Sequence, residues 1–250
     1  MLDLLLIFVV APCLGWVAVQ HWLRNGQPLA LGFGLRLDRS GLQGFGAGFA
    51  IAAMAMLGIF GVELVLGGIK VLSAKPEPAM LLHEFFALLF FALFEEVVFR
   101  MLMLSGLVVL LRGRHGPAIG LSAALFGLVH LINPGATALS ALGNALGGVV
   151  YGIAFLKGRS LWLPLGLNLG WNFFQGPVLG FAISGDSSHT AVVRLLEVGP
   201  AWLTGGTYGP EAGTVGMGFR LVVFVLLVVW LRWQDRSMNS IAPVAQEKTR

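Results

Sequence analysis

Residues 80–104 read Met80-Leu-Leu-His83-Glu84-Phe-Phe-Ala-Leu-Leu-Phe-Phe-Ala-Leu-Phe-Glu95-Glu96-Val-Val-Phe-Arg100-Met-Leu-Met-Leu104. The run is long enough to cross a bilayer, which takes about 20 mostly apolar residues. Yet Glu95, Glu96 and Arg100 lie in its interior. Three ionised groups there cost on the order of 8–10 kcal/mol, at about 2.5–3.5 each. The Leu, Phe and Val residues of the run return about 4–9 kcal/mol, at roughly 0.3–0.6 each. Burial in lipid alone does not carry the segment, so its charges must be paired, protonated or wet. Glu96 and Arg100 can pair, because they stand at i,i+4 with the acid first. Glu95 lies about 100° further round the helix and has no partner at helical spacing. It is therefore expected to face the interior of a helix bundle. An ionisable residue in that position is a functional candidate, with a packing-only ion network as the alternative.

The rest of the chain fits a membrane setting. Of 250 residues, 57% are apolar and 11% are charged. Mean hydropathy is +0.85. An ordinary soluble domain carries about a quarter charged residues, so a soluble enzyme and a disordered chain are both excluded. Cys13 is the sole cysteine, which excludes a disulfide scaffold. The apolar runs do not alternate with polar residues, so helices rather than a β-barrel must satisfy the backbone. The expected fold is all-α, a polytopic transmembrane bundle of about seven spans. They fall at 1–20, 45–69, 80–104, 116–132, 136–156, 160–183 and 213–231. The third stays apolar to 111, so it runs on or breaks near Gly106. The first lacks a basic leading region and a good cleavage site, and is read as a retained helix. This divides the chain into N-terminal helices (1–79), a catalytic core (80–185), an outer loop with the last span (186–233) and a polar cytoplasmic tail (234–250).

The positive charges give an orientation. Arg24, Arg36, Arg39, Arg112, Arg114, Lys157, Arg159, Arg232, Arg236, Lys248 and Arg250 fall on one side of these spans. Lys70, Lys75 and Arg194 fall on the other. The bias predicts an N-terminus outside and a C-terminus in the cytoplasm. The basic side meets anionic lipid, so no nucleic-acid partner is needed.

Other spans offer polar groups to complete a site. Phe126 and His130 share a face at i,i+4. Asn168 and Asn172 do the same on the sixth span. Taken singly, a histidine near a helix end is often interfacial, and paired asparagines can merely join helices. Together with Glu95 they offer a base, a second proton handler and two hydrogen-bond donors, the groups needed to add water to a carbonyl. Asn144 and Gln175 can support such a site from behind. Plainer expectations cover the remainder. His21 and His115 fall in cytoplasmic loops. His83, Glu84 and Glu63 sit near the outer face, and Arg220 snorkels outward. Ser105, Ser122 and Ser140 have no base at a defined spacing. Gly143, Gly147, Gly148 and Gly152 form a face for close helix packing.

At these residues the chain resembles the CPBP family of intramembrane proteases, which includes the CAAX prenyl endopeptidases and bacteriocin-immunity-type membrane proteins. The family's Glu-Glu-x-x-x-Arg motif is matched by Glu95, Glu96 and Arg100. Its Phe-x-x-x-His motif is matched by Phe126 and His130. In its His-x-x-x-Asn motif, Asn168 replaces the histidine and Asn172 is in place. The resemblance implies an intramembrane endopeptidase in which Glu95 and His130 activate water. Glu96 and Arg100 hold the helix. Positions 168 and 172 either bind metal or stabilise the oxyanion. Asn168 disfavours zinc, because asparagine is a poor zinc ligand; any metal would rest on Glu95 and His130. As an oxyanion donor, an asparagine can contribute about 2.7–4 kcal/mol. The expected substrate is a membrane-associated peptide or protein, and the expected setting is the bacterial plasma membrane. The alternative is a catalytically inactive membrane interaction or immunity-type protein.

Overall fold

The computed structural model describes residues 5–247, with side chains described through residue 236. Helices dominate. They are α1 (Leu6–Arg24), α2 (Arg39–Val65), α3 (78–110), α4 (His115–Ile132), α5 (Ala138–Gly158), α6 (Trp162–Phe173) and α7 (Thr214–Glu247). Among the described residues, α1, α2, α4, α5 and the 214–236 part of α7 are long and apolar enough to cross a membrane. The protein is thus an all-α integral membrane bundle. Large side chains such as Trp16, Phe86, Phe90 and Leu221 are exposed around it, as a lipid-facing surface requires.

The two remaining helices, α3 and α6, fall where the third and sixth spans were expected, but each is interrupted. In α3, an α-helical segment Pro78–Glu96 passes into a π-helical segment Val97–Leu104 and back to α-helix at Ser105–Leu110. The helix does run on past Leu104, and Gly106 instead lets the backbone of Leu14 approach. Helix α6 ends in a π turn, Phe174–Val178. Wider i→i+5 turns are rare and recur at functional sites. Two serines support the first of them. Ser122 Oγ donates to the Phe99 carbonyl at 3.0 Å, and Ser105 Oγ to the Arg100 carbonyl at 3.4 Å. Ser140 caps α5 together with Thr137.

Glycines set how closely the helices approach. Helix α2 presents Gly48 to α6, and α6 presents Gly166 and Gly170 to α2. A Cβ on Gly166 would run into the Phe45 carbonyl oxygen, and one on Gly48 into that of Leu163. The contact is backbone on backbone, the small-residue packing open to membrane helices. It holds α6 so that Asn168 and Asn172 reach across to α3. Gly166→Ala should therefore separate the pair and cost about 1–3 kcal/mol, the usual penalty for overpacking. A thermal-unfolding midpoint unchanged from wild type in detergent would refute this. On α5, Gly143 meets the Glu211 carbonyl, Gly147 the Arg220 guanidinium, Gly148 Ala123 and Gly152 Ile119. The expected packing face is thus real, and it receives α4, α7 and the loop before α7.

A two-stranded antiparallel ribbon departs from the all-helical expectation. It pairs β1 (Ile69–Ala74) with β2 (Val193–Glu197). Each strand is short, and its partner is distant in sequence, so periodicity could not reveal it. Short turns at Ala201–Thr204, Gly206–Tyr208 and Pro210–Ala212 fold the rest of the outer loop against the bundle. Part of the polar tail continues α7 to Glu247. Side chains beyond 236 and residues 248–250 lie outside the described residues.

Candidate active site

Helix α3 delivers Glu95 and Glu96 at the junction where its α-helical turn opens into the π segment. Helix α6 brings Asn168 against both. Asn168 Nδ2 donates to Glu95 Oε2 at 2.9 Å and to Glu96 Oε1 at 2.8 Å. A primary amide has two hydrogens, so both are taken by carboxylates. Asn172 Nδ2 in turn donates to Asn168 Oδ1 at 2.8 Å, which orients the Asn168 amide and leaves Asn172 one hydrogen to spare.

Glu96 and Arg100 are fully buried, and Arg100 Nε lies 3.3 Å from Glu96 Oε2. The guanidinium stacks over Phe126 at 4.4 Å and Tyr151 at 5.0 Å. Its terminal nitrogens have no hydrogen-bond partner. The aromatic faces therefore provide much of the environment of this charge.

His130 closes helix α4. Its Nδ1 lies 2.7 Å from the Phe126 carbonyl oxygen. A carbonyl can only accept, so Nδ1 carries a proton, and in the neutral imidazole Nε2 presents a lone pair. That nitrogen lies 3.7 Å from Glu95 Oε1, too far for a direct hydrogen bond. Phe126 thus positions the imidazole through its backbone and packs its ring against it, with centroids 4.6 Å apart.

These groups open on a cavity of about 400 Å³. Glu95, His130, Asn168 and Asn172 share its lining with a second polar set that comes from α5, α7 and the outer loop. Asn144 donates to Tyr208 Oη at 2.8 Å, and Gln175 donates to Glu211 Oε2 at 2.8 Å. Arg220 Nη1 donates to Tyr151 Oη at 2.9 Å, and the guanidinium stacks on Trp171 at 3.4 Å. Arg220 does not snorkel outward: it is 4% exposed and fits the space left by Gly147. Apolar neighbours stop it reaching water, while a phenol and an indole face offer it partners. Glu63 is fully buried.

Glu211 was passed over in sequence because it lies in a stretch that reads as an outer loop. Arg220 carried a usable signal, a lone charge in an otherwise apolar run. Asn144 lines the cavity, and Gln175 reaches it only through its bond to Glu211.

Glu84, Asp186, Ser188 and His189 also line the cavity. Hydrogen bonds from Ser188 hold the Asp186 carboxyl below its usual range. Burial pushes the His189 imidazole down, so it is neutral at pH 7. Glu84 Oε1 accepts from the Thr190 amide at 3.3 Å, and Asn133 donates to the Ser184 carbonyl at 2.9 Å. The 184–190 segment is therefore fastened to both α3 and the turn after α4.

Zinc is poorly served by these residues. Among the described residues, no three His, Cys, Asp or Glu side chains gather to hold a metal. Asn168 turns its amide nitrogen, which is not a ligand, toward the carboxylates.

Residues 77–174 match the family model described as Type II CAAX prenyl endopeptidase Rce1-like. No curated protein and no solved structure matches the chain.

Proposed function

With residues 77–174 forming a domain of the Rce1-like family, we propose that this protein is an intramembrane endopeptidase that attacks a peptide bond with water activated by Glu95 and His130. The observation that carries the proposal is the 3.7 Å separation of Glu95 Oε1 from His130 Nε2 at the wall of the cavity. With the imidazole neutral both atoms are acceptors, and a water beside them can donate one hydrogen to each. Its lone pair is then free to attack a carbonyl carbon. As the C–O bond forms, Glu95 takes the proton and the carbonyl oxygen becomes an oxyanion. The spare Asn172 hydrogen stabilises that charge. The proton then passes to the departing amine, with His130 as the second proton handler.

Asn168 receives a different role from the one expected of it. Its two hydrogens hold Glu95 and Glu96 in place, so it positions the base and Asn172 acts as the oxyanion donor. Arg100 pairs with Glu96 and holds its side chain in place. No step requires a metal.

Asn172→Ala should lower kcat by about 10²–10³-fold, the loss seen for one oxyanion donor, with little change in KM. The assay is cleavage of quenched fluorescent peptides by purified protein in detergent. Addition of 1,10-phenanthroline should leave the wild-type rate unchanged. A change confined to KM would remove Asn172 from the chemistry, and loss of activity restored by stoichiometric zinc would sink the metal-free scheme.

The substrate we propose is a membrane-associated or exported peptide that enters from the outer side. The charge bias predicts that the 184–212 segment lies outside, and Ser184, Asp186, Ser188 and His189 of this segment line the cavity. Pro134 lies exposed in the turn following His130. In a Cys13→Ser background, Pro134→Cys should react with a membrane-impermeant maleimide in intact cells. Labelling only after the cells are opened would place this side of the cavity in the cytoplasm and redirect the substrate choice.

A further inference from the structure

A second acidic site lies away from the cavity, where α2 meets the ribbon. Glu63, in the last turn of α2, is 0% exposed, and neither of its carboxylate oxygens has a hydrogen-bond partner. A buried carboxylate of this kind is stable only if something neutral or positive meets it. Nothing in the catalytic scheme uses it.

The end of α2, the end of β2 and the Thr204 turn are tied to one another through Gly68. The Glu63 carbonyl accepts from the Gly68 amide at 2.7 Å, and the Gly68 carbonyl accepts from both Val198 and Gly199. This knot brings the end of β2, with Glu197, alongside the end of α2, within electrostatic range of Glu63. Thr204 is fully buried, and its methyl group packs on Gly68. Thr204 Oγ1 donates to Glu197 Oε2 at 3.2 Å and accepts from the Gly206 amide at 3.1 Å. One hydroxyl lone pair is left over. Glu197 itself is only partly buried, so water reaches this carboxylate.

We propose that Glu63, Glu197 and Thr204 form a binding site for calcium. The donors are all oxygen, which selects a hard cation. Two carboxylates balance the charge of a divalent ion. Two acidic ligands and one hydroxyl leave several coordination positions for water, which calcium accepts in its flexible shell of 6–8 oxygens. The bound ion ties α2 to the ribbon and to the 201–208 turns. Tyr208 in those turns accepts from Asn144 and its carbonyl bonds the Gly185 amide, so the ion stiffens the wall of the cavity. The site is independent of the peptidase reading.

The test is thermal unfolding of the full-length protein in detergent after chelator treatment, followed by tryptophan fluorescence during a CaCl₂ titration. The wild-type midpoint should rise saturably, by roughly 5–10 °C at a hundredfold excess over the dissociation constant. NaCl at matched ionic strength should not reproduce the rise. Glu63→Gln should fold without calcium and lose the response. Thr204→Val, the milder change, should retain the response at a weaker apparent affinity. Absence of a saturable shift in wild type, or the same shift in Glu63→Gln, would overturn the proposal.

Discussion

Arg100→Met should destabilise the protein by about 3–5 kcal/mol, the penalty for leaving one member of a buried ion pair without the other. That is a large share of a typical stability of about 5–15 kcal/mol. Methionine keeps much of the volume against Phe126 and Tyr151 but removes the guanidinium. Glu96, 0% exposed, would retain only the Asn168 amide as a partner. Adding Glu96→Gln should recover most of the loss, because the stranded charge is removed with its counterion already gone. The two variants and wild type can be compared by thermal unfolding in detergent. If the double variant is less stable than Arg100→Met alone, the ion pair is not what holds this part of the bundle.

Glu95→Gln should lower peptide cleavage by about 10²–10⁴-fold, the usual contribution of a positioned general base. It should leave the fold intact. A glutamine oxygen can still accept from Asn168, so the local network survives without a base. The separation of the two readouts is the point of the experiment. Lost cleavage with an unchanged unfolding midpoint marks Glu95 as a catalytic residue. A parallel fall in both would make it a structural charge like Glu96.

Several of these groups were legible because their cost is local. Glu95, Glu96 and Arg100 stand in an apolar run, and no fold is needed to see that they require compensation. Phe126 with His130, and Asn168 with Asn172, were visible as i,i+4 pairs for the same reason. How these pairs meet was not legible. Asn168 looked like a donor waiting for substrate, whereas its hydrogens are taken by two carboxylates from another helix. The opposite cavity wall was hidden because Tyr151, Glu211 and Arg220 come from separated segments. Helix periodicity says which residues share a face but not which faces meet. The π segment of α3 was also invisible, since its Val, Phe and Leu residues suit an ordinary α-helix equally well. The face of Gly143, Gly147, Gly148 and Gly152 could be read in sequence as a close-packing face; that it receives α4 and α7 could not.

The most direct test of the central claim compares the N-termini of membrane peptides in cells that carry wild-type protein or Glu95→Gln at equal expression. The peptidase account predicts new termini that occur only with wild type, arising within or beside apolar segments on the outer side. One such cleavage should then be reproduced by the purified protein alone. Identical termini in the two strains, with the wild-type phenotype preserved in the variant, would contradict it and leave a membrane protein that acts by binding.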